Sequence, residues 1–126
     1  MSNKLKSLLL CICLFIVFSL GTVATIKHYE NKQTVHSYRE LSKKKKSIVF
    51  YRDDCSDCQK VFPRLFLHNL FNNDIVFVNM NNKENRNLIK RFDLVEVPTT
   101  INKKQSKRYS GTNFKEIEKV IQKVGE

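Results

Sequence analysis

The stretch Ile48-Val49-Phe50-Tyr51-Arg52-Asp53-Asp54-Cys55-Ser56-Asp57-Cys58 decides the fold, because it joins a short apolar run to a pair of cysteines. Its first four residues are β-branched or aromatic, which predicts a buried strand. Beyond the second cysteine, apolar residues recur at the spacing of a helix, at Val61, Phe62, Leu65, Phe66 and Leu70. The sequence therefore predicts strand 48–51, a loop, and a helix over about 56–71 that begins at the cysteines.

Cys55 and Cys58 form a C-x-x-C pair at the predicted start of this helix. Two cysteines at this spacing can close a small disulfide ring, and the free amides and dipole of a helix N-terminus stabilise a thiolate on the first of them. A C-x-x-C placed between a strand and a helix is typical of a redox site. We therefore predict that Cys55 and Cys58 are the catalytic residues, with Cys55 attacking and Cys58 resolving the mixed disulfide.

Two other interpretations of the pair are a zinc site and a purely structural disulfide. Zinc usually needs a second ligand pair, but Cys11 and Cys13 lie in an apolar segment and the three histidines lack ligand spacing. A structural disulfide would close a very short loop and stabilise the fold little. Both are disfavoured, so no metal or organic cofactor is expected: the sulfur pair is itself the redox group.

The N-terminus carries an apolar segment that follows Lys4 and Lys6 and continues to Ile26. About 19 consecutive apolar residues are enough to span a bilayer. The basic flank would stay in the cytoplasm, which places everything after Lys27 outside. Residues 1–26 are predicted to be a signal-anchor of a single-pass cell-membrane protein; the alternative is a signal peptide cleaved after Ala24, which would release the domain.

The net charge is +11, and much of it lies in the run Lys43–Lys46 and near Lys103-Lys104 and Lys107-Arg108. An exported domain rarely meets nucleic acid, so no nucleic-acid partner is predicted. Anionic lipid head groups or wall polymers are better partners for these lysines. The plainer alternative is that the lysine run is the solvated end of a linker.

The stretch 48–71, with Val97-Pro98-Thr99 and Ser110-Gly111, resembles the thioredoxin superfamily. Pro63 stands where thioredoxins carry a helix-kinking proline, and Pro98 matches their cis-proline. The resemblance implies an α/β thioredoxin-like fold for residues 47–126, with a central mixed β-sheet flanked by helices. It also implies that Val97 and a cis Pro98 bind an extended substrate through backbone groups.

The chain departs from that family at three places. Asp54 replaces the usual Trp, Ser56-Asp57 replaces Gly-Pro, and Val49 replaces a buried acid and cannot relay a proton. Asp53, Asp54 and Asp57 crowd Cys55, and negative charge disfavours a thiolate. The direction of electron flow stays open, with an inclination toward reductase or isomerase.

The predicted function is that of an extracytoplasmic thiol–disulfide oxidoreductase acting on secreted or membrane proteins and peptides, with an unidentified redox partner. Small anchored thioredoxin-like proteins of Gram-positive bacteria, which this sequence resembles in size and layout, suggest the alternative. That alternative is a non-catalytic chaperone or accessory protein for export of a secreted peptide such as a bacteriocin.

The rest of the chain fits one domain behind a tether. Residues 27–46 are predicted to be a polar tether that becomes a first helix, with Val35, Tyr38 and Leu41 at spacing three. Further elements are predicted at 75–78 (strand), 84–92 (helix), and 99–101 with 107–109 (hairpin). Asn113 and Glu116 predict a capping box for a last helix. Its predicted buried face comprises Ile117, Val120, Ile121 and Val124.

Overall fold

The computed structural model describes residues 1–31 and 34–122, and the chain divides into two compact units, Met1–Lys32 and Gln33–Glu126. The first unit is a single helix, α1, at Asn3–Asn31. Its Asn3–His28 segment is long and apolar enough to cross a membrane, by length and composition. The helix therefore continues past residue 26, where the sequence analysis placed the end of the anchor. The predicted segment boundaries after residues 26 and 46 stay predictions.

The second unit contains a four-stranded sheet in the order β2-β1-β3-β4. The strands are β1 (Ser47–Tyr51), β2 (Ile75–Asn79), β3 (Thr99–Ile101) and β4 (Arg108–Ser110). β1 pairs with β2 in parallel, whereas the β1–β3 and β3–β4 pairs are antiparallel. The predicted α/β class with a mixed sheet is confirmed. β1 is buried along its whole length, as expected for a strand covered on both faces.

Two short helices cover one face of the sheet. They are α2 (Tyr38–Lys43) and α4 (Asn87–Phe92), and a 3₁₀ turn at Lys83–Arg86 precedes α4. The core on this face comprises Leu41, Ile48, Phe50, Val78, Met80, Leu88, Phe92 and Ile101. α2 therefore lies within residues 27–46, where the polar tether was expected to become helical. The helix predicted over 84–92 is instead divided between the 3₁₀ turn and α4.

Two longer helices, α3 (Ser56–Asn72) and α5 (Phe114–Gln122), form the other layer. The rings of Phe62 in α3 and Tyr51 in β1 lie 4.7 Å apart, and Phe62 lies 4.9 Å from Phe77 in β2. The Arg64 guanidinium joins α3 to α5 through Glu118 at 3.0 Å. Consequently the helix that starts at the cysteines packs through Phe62 on β1 and β2 and is held to α5 by Arg64.

Two details of the longer helices differ from the sequence analysis. Leu70 was expected on the buried face of α3 but is 61% exposed, because Asn69 takes the inward position and accepts a hydrogen bond from the Ile75 N–H at 2.8 Å. The capping box is also wrong. Asn113 does cap α5, but Glu116 binds Lys119, and the Asn113 N–H donates to the Tyr109 hydroxyl.

The buried face of α5 is confirmed for Ile117, Val120 and Ile121. Val124, the fourth residue predicted there, lies outside the described residues. Val35 and Tyr38 are exposed, although the Tyr38 ring packs 5.1 Å from that of Phe92.

Candidate redox site

Cys55 is the N-cap residue of α3. Its backbone is extended, with φ −95° and ψ 120°, and its sulfur accepts a hydrogen bond from the Cys58 N–H at 3.3 Å. The first N–H groups of a helix have no partner within the helix, and a side-chain oxygen usually satisfies one of them. Here sulfur takes that place, so the local conformation that begins the helix also aims a backbone N–H at the Cys55 sulfur.

Cys58 lies one turn into α3 and is buried, whereas Cys55 is half-buried. The Cys58 sulfur accepts a hydrogen bond from the Arg52 N–H at 3.5 Å. Burial, followed by the hydrogen bond with the Cys55 side chain, raises the pKa of the Cys58 thiol to about 12. Both cysteines are free thiols in this structure. The two sulfurs are therefore unequal: one is accessible and the other is held as a protonated, shielded thiol.

The Val97–Pro98 segment lies beside the first cysteine. The peptide bond between these two residues is cis, and the Cys55 thiol donates to the Val97 carbonyl at 3.8 Å. The Gly111 N–H donates to the Pro98 carbonyl at 3.0 Å, and the Thr99 hydroxyl donates to the Glu96 carbonyl at 2.7 Å. The fold thus brings together all four predicted site residues. Thr99 in β3 and Gly111, directly after β4, hold the loop that carries Val97 and Pro98.

The acidic residues around Cys55 are paired with neighbours. Asp54 binds Arg52 at 2.7 Å, and this guanidinium lowers the pKa of the Asp54 carboxyl. Asp57 binds Lys60 at 2.7 Å, and Asp53 accepts a hydrogen bond from Asn81. Two of the three negative charges that we expected to oppose a thiolate are therefore offset by cations beside them.

Sequence analysis missed Arg52 and Asn81 as parts of the site. Arg52 bridges Asp54 and Asn81 with its side chain, while its backbone N–H contacts Cys58. Its position directly between the apolar strand and two acids is a signal that could have identified it. Asn81 had no such signal, because it is 27 residues from Asp54 in sequence.

A groove of about 550 Å³ extends from the site between the end of β1 and the loop before Pro98. Its lining combines five apolar residues with two arginines and one acid: Arg52, Met80, Arg86, Ile89, Leu94, Val95, Glu96 and Val97. Val95 is 93% exposed. Such a surface next to an accessible thiol suits an extended chain with apolar side chains.

The sequence profile of the thioredoxin family matches residues 22–123. The chain belongs to the thioredoxin family. No curated protein matches the chain. The predicted thioredoxin-like fold is confirmed, and the C-x-x-C pair of this thioredoxin domain is consistent with thiol–disulfide chemistry.

Pro63 and Val49 occupy two family landmark positions, and they differ in exposure. Pro63 lies on the exposed side of α3, which continues through it to Asn72. Val49, at the position of the family's buried acid, is buried in β1. Within residues 1–31 and 34–122, no group of three or more His, Cys, Asp or Glu side chains is arranged to hold a metal ion.

Proposed function

We propose that the chain is an extracytoplasmic thiol–disulfide oxidoreductase, held at the cell membrane by α1, that acts on secreted or membrane proteins and peptides. The observation that carries this proposal is the inequality of Cys55 and Cys58. The accessible sulfur lies beside the Val97 carbonyl, and the buried sulfur is a thiol whose pKa is raised. A pair of this kind separates the attacking role from the resolving role.

In the reducing direction, Cys55 loses its proton and its thiolate attacks a client disulfide. The Cys55–client S–S bond forms, the client S–S bond breaks, and the departing client thiolate takes up a proton. Cys58 then loses its proton and attacks the Cys55 sulfur, which closes the Cys55–Cys58 disulfide and releases the second client thiol. Two electrons pass from the protein dithiol to the client, and the reverse sequence oxidises a client dithiol. An external thiol–disulfide partner restores the starting state.

Val97 and Pro98 are the proposed substrate-binding residues. Once Cys55 is bonded to a client it has no proton to donate, so the Val97 carbonyl becomes an acceptor for a client backbone N–H. The neighbouring groove receives apolar side chains of the same client segment. Backbone hydrogen bonding with side-chain pockets is a common way to bind an extended peptide.

Trapping of mixed disulfides tests the proposal. Cys58→Ser should accumulate mixed disulfides with clients, because the attacking sulfur remains and the resolving one is gone. Cys55→Ser, the matched control in the same helix turn, should accumulate few. Equal trapping by the two variants would contradict the assignment of roles, and loss of trapping in both would contradict the activity.

The non-catalytic alternative is a chaperone or accessory protein for a secreted peptide, for which the apolar groove alone would suffice. The double variant Cys55→Ser/Cys58→Ser separates the two functions. An oxidoreductase loses function in this variant, whereas an accessory protein that only binds a peptide retains it.

The proposed location has its own test. An anchored domain remains in the membrane fraction after a high-salt wash, since salt screens charge attraction but does not extract a spanning helix. It is also degraded by protease added to intact protoplasts. Protection until lysis would overturn the extracytoplasmic location, whereas release into the medium with Thr25 as the first residue would show cleavage and leave the chemistry intact.

A further inference from the structure

The end of the domain opposite the cysteines is strongly basic. Lys43–Lys46 immediately precede β1, and Cys55 follows the other end of the same strand. The Lys46 ammonium donates to the Asn73 side-chain carbonyl at 2.7 Å, and Asn73 is the C-cap residue of α3. The lysine run is therefore joined to the C-terminal end of the helix whose N-terminal end carries the redox pair.

The β3–β4 turn adds further positive charge at this end. β3 runs antiparallel to β1, with Ile101 paired to Ile48 and to Arg108 in β4. The turn that follows Ile101 therefore lies beside the beginning of β1. It carries three exposed lysines, Lys103, Lys104 and Lys107.

The last turns of α3 place large apolar side chains in solvent at the same end. Leu67, Leu70 and Phe71 are 47%, 61% and 87% exposed. Residues at i, i+3 and i+4 share one face of a helix, so the three side chains form a single strip. Asp74 also lies here, where its carboxylate binds the His68 imidazole at 3.0 Å.

We propose that this basal surface docks on an anionic lipid bilayer. The basal surface comprises Lys43–Lys46, Lys103, Lys104 and Lys107 with Leu67, Leu70 and Phe71. Lysines beside exposed aromatic and aliphatic side chains match the two layers of a membrane boundary: the ammonium groups meet lipid phosphates, and the apolar strip enters the edge of the acyl region.

A bilayer fits this surface better than a second copy of the chain does. Two basal surfaces would bring like charges together, and such juxtaposition opposes association. The inference rests on the proposed membrane location, which α1 supports. Thr34 is already fixed in the domain, where its carbonyl accepts from Asn85, so only positions 32 and 33 separate it in sequence from the end of α1, and three extended steps reach at most about 11 Å.

Docking in this way determines where the redox pair acts. α3 has 17 residues between the cysteines and the basal surface, and at 1.5 Å per residue it is about 25 Å long. A docked domain holds Cys55 that far from the lipid, facing the aqueous side. Its clients are then disulfides in chain segments that have left the membrane, not cysteines near the bilayer surface.

The chain has no tryptophan, so a single introduced tryptophan reports its own surroundings without background. The full chain is reconstituted into bilayers of equimolar phosphatidylcholine and phosphatidylglycerol, with bromine on the acyl chains as a quencher. We expect Phe71→Trp fluorescence to be quenched and Val95→Trp fluorescence to remain bright. Both positions are highly exposed, but Val95 lies at the cysteine end of the domain.

Leu14→Trp, in the middle of α1, reports insertion of the helix separately. If Leu14→Trp is quenched and Phe71→Trp is not, docking is overturned while the anchor stands. If Leu14→Trp is also bright, the anchor and docking fall together. Quenching at Val95→Trp equal to that at Phe71→Trp overturns the proposed orientation. A Phe71→Trp blue shift that depends on protein concentration in lipid-free detergent identifies a second copy as the occupant and overturns the proposal.

Charge removal tests the electrostatic part. In the Phe71→Trp background, Lys43→Gln with Lys45→Gln should lower the ratio of docked to undocked protein roughly 30-fold, at about fivefold per lysine. Lys83→Gln with Lys90→Gln removes the same charge outside the basal surface and should leave quenching unchanged. Replacing phosphatidylglycerol by phosphatidylcholine should act like the basal double variant. Equal effects of the two double variants would contradict docking through the basal surface.

Discussion

The Cys55 sulfur and the Val97 carbonyl oxygen lie 3.8 Å apart, although 42 positions separate the two residues in sequence. The contact exists because β1 and β3 pair side by side, which brings the loop before β3 next to the residues that follow β1. The proposed attacking group and the proposed client-aligning group are therefore fixed by one sheet. A change in the Pro98 loop should consequently be visible in the chemistry at Cys55.

Closure of the Cys55–Cys58 disulfide should be slow near neutral pH and accelerate as pH rises. Burial is the largest cause of the raised pKa of Cys58 and persists in the mixed disulfide, so the thiolate fraction should increase about tenfold per pH unit from neutral into the alkaline range. The measurement starts from a glutathione mixed disulfide on Cys55 and follows glutathione release by mass spectrometry. Cys58→Ser should release none by this route, and a rate that levels off below about pH 9 would contradict a raised pKa.

Gly111→Ala should destabilise the domain and weaken client trapping. Gly111 has φ +134°, and a Cβ atom there would lie 2.8 Å from the Tyr109 hydroxyl oxygen. Since its N–H also holds the Pro98 carbonyl, we expect a loss of about 2 kcal/mol in the free energy of unfolding, together with displacement of the loop. Gly21→Ala in α1, where a methyl group meets no atom within 4 Å, is the control and should leave unfolding of the domain unchanged. If Gly111→Ala traps clients normally, the position of the Val97–Pro98 loop does not affect client binding.

The stability of the domain should fall as pH drops below about 6.5 because of His36. Burial lowers the pKa of this imidazole, with an opposing contribution from Glu40, and among the described residues its Nδ1 atom has no hydrogen-bond partner. The unfolded chain therefore takes up a proton at higher pH than the folded chain does. The stabilisation is complete above the unfolded pKa and is lost as pH falls through the folded one. Chemical unfolding at a series of pH values should show a shallower decline for His36→Leu; identical slopes would refute the role of His36.

Asn85→Ala should cost about 3 kcal/mol in the free energy of unfolding, since it removes three hydrogen bonds of a buried side chain. The fully buried Asn85 side chain accepts from the His36 N–H at 2.9 Å and donates to the Thr34 and Asn79 carbonyls, each at 3.1 Å. The control Asn87→Ala loses one exposed bond to the Glu84 carbonyl and should cost less than about 1 kcal/mol. Equal losses in equilibrium unfolding would show that burial of the network contributes nothing.

The central part of the fold was predictable because its signals are local. Runs 48–51 and 75–78 are continuous apolar segments, and the paired strands coincide with them to within a residue. The cysteine pair was predictable for a related reason, since a strand followed by a helix leaves only one place for Cys55: the N-cap. The Pro98 loop was found by resemblance, because spacing alone says nothing about which residues face Cys55.

What could not be predicted depends on partners distant in sequence. Asn69 and Asn85 read as surface residues, yet one replaces Leu70 on the inner side of α3 and the other lies in the core. Amide side chains are buried only when backbone groups from other segments satisfy them, and those groups are known only once the chain has folded. The groove beside Val95 was missed for the same reason: exposure of an apolar residue in a loop is set by the packing of its neighbours.

The sulfur that caps α3 is also the proposed attacking sulfur, so the proposed redox chemistry and the stability of the helix share one atom. Any difference in the free energy of unfolding between the dithiol and disulfide forms must reappear, by thermodynamic linkage, as a shift in reduction potential relative to the unfolded chain. For a two-electron couple, 1.4 kcal/mol corresponds to about 30 mV. Substitutions in the first turn of α3 that never touch a client should therefore change the reduction potential, and with it the tendency to donate or accept electrons. The difference in melting temperature between the dithiol and disulfide forms reports this change for each variant.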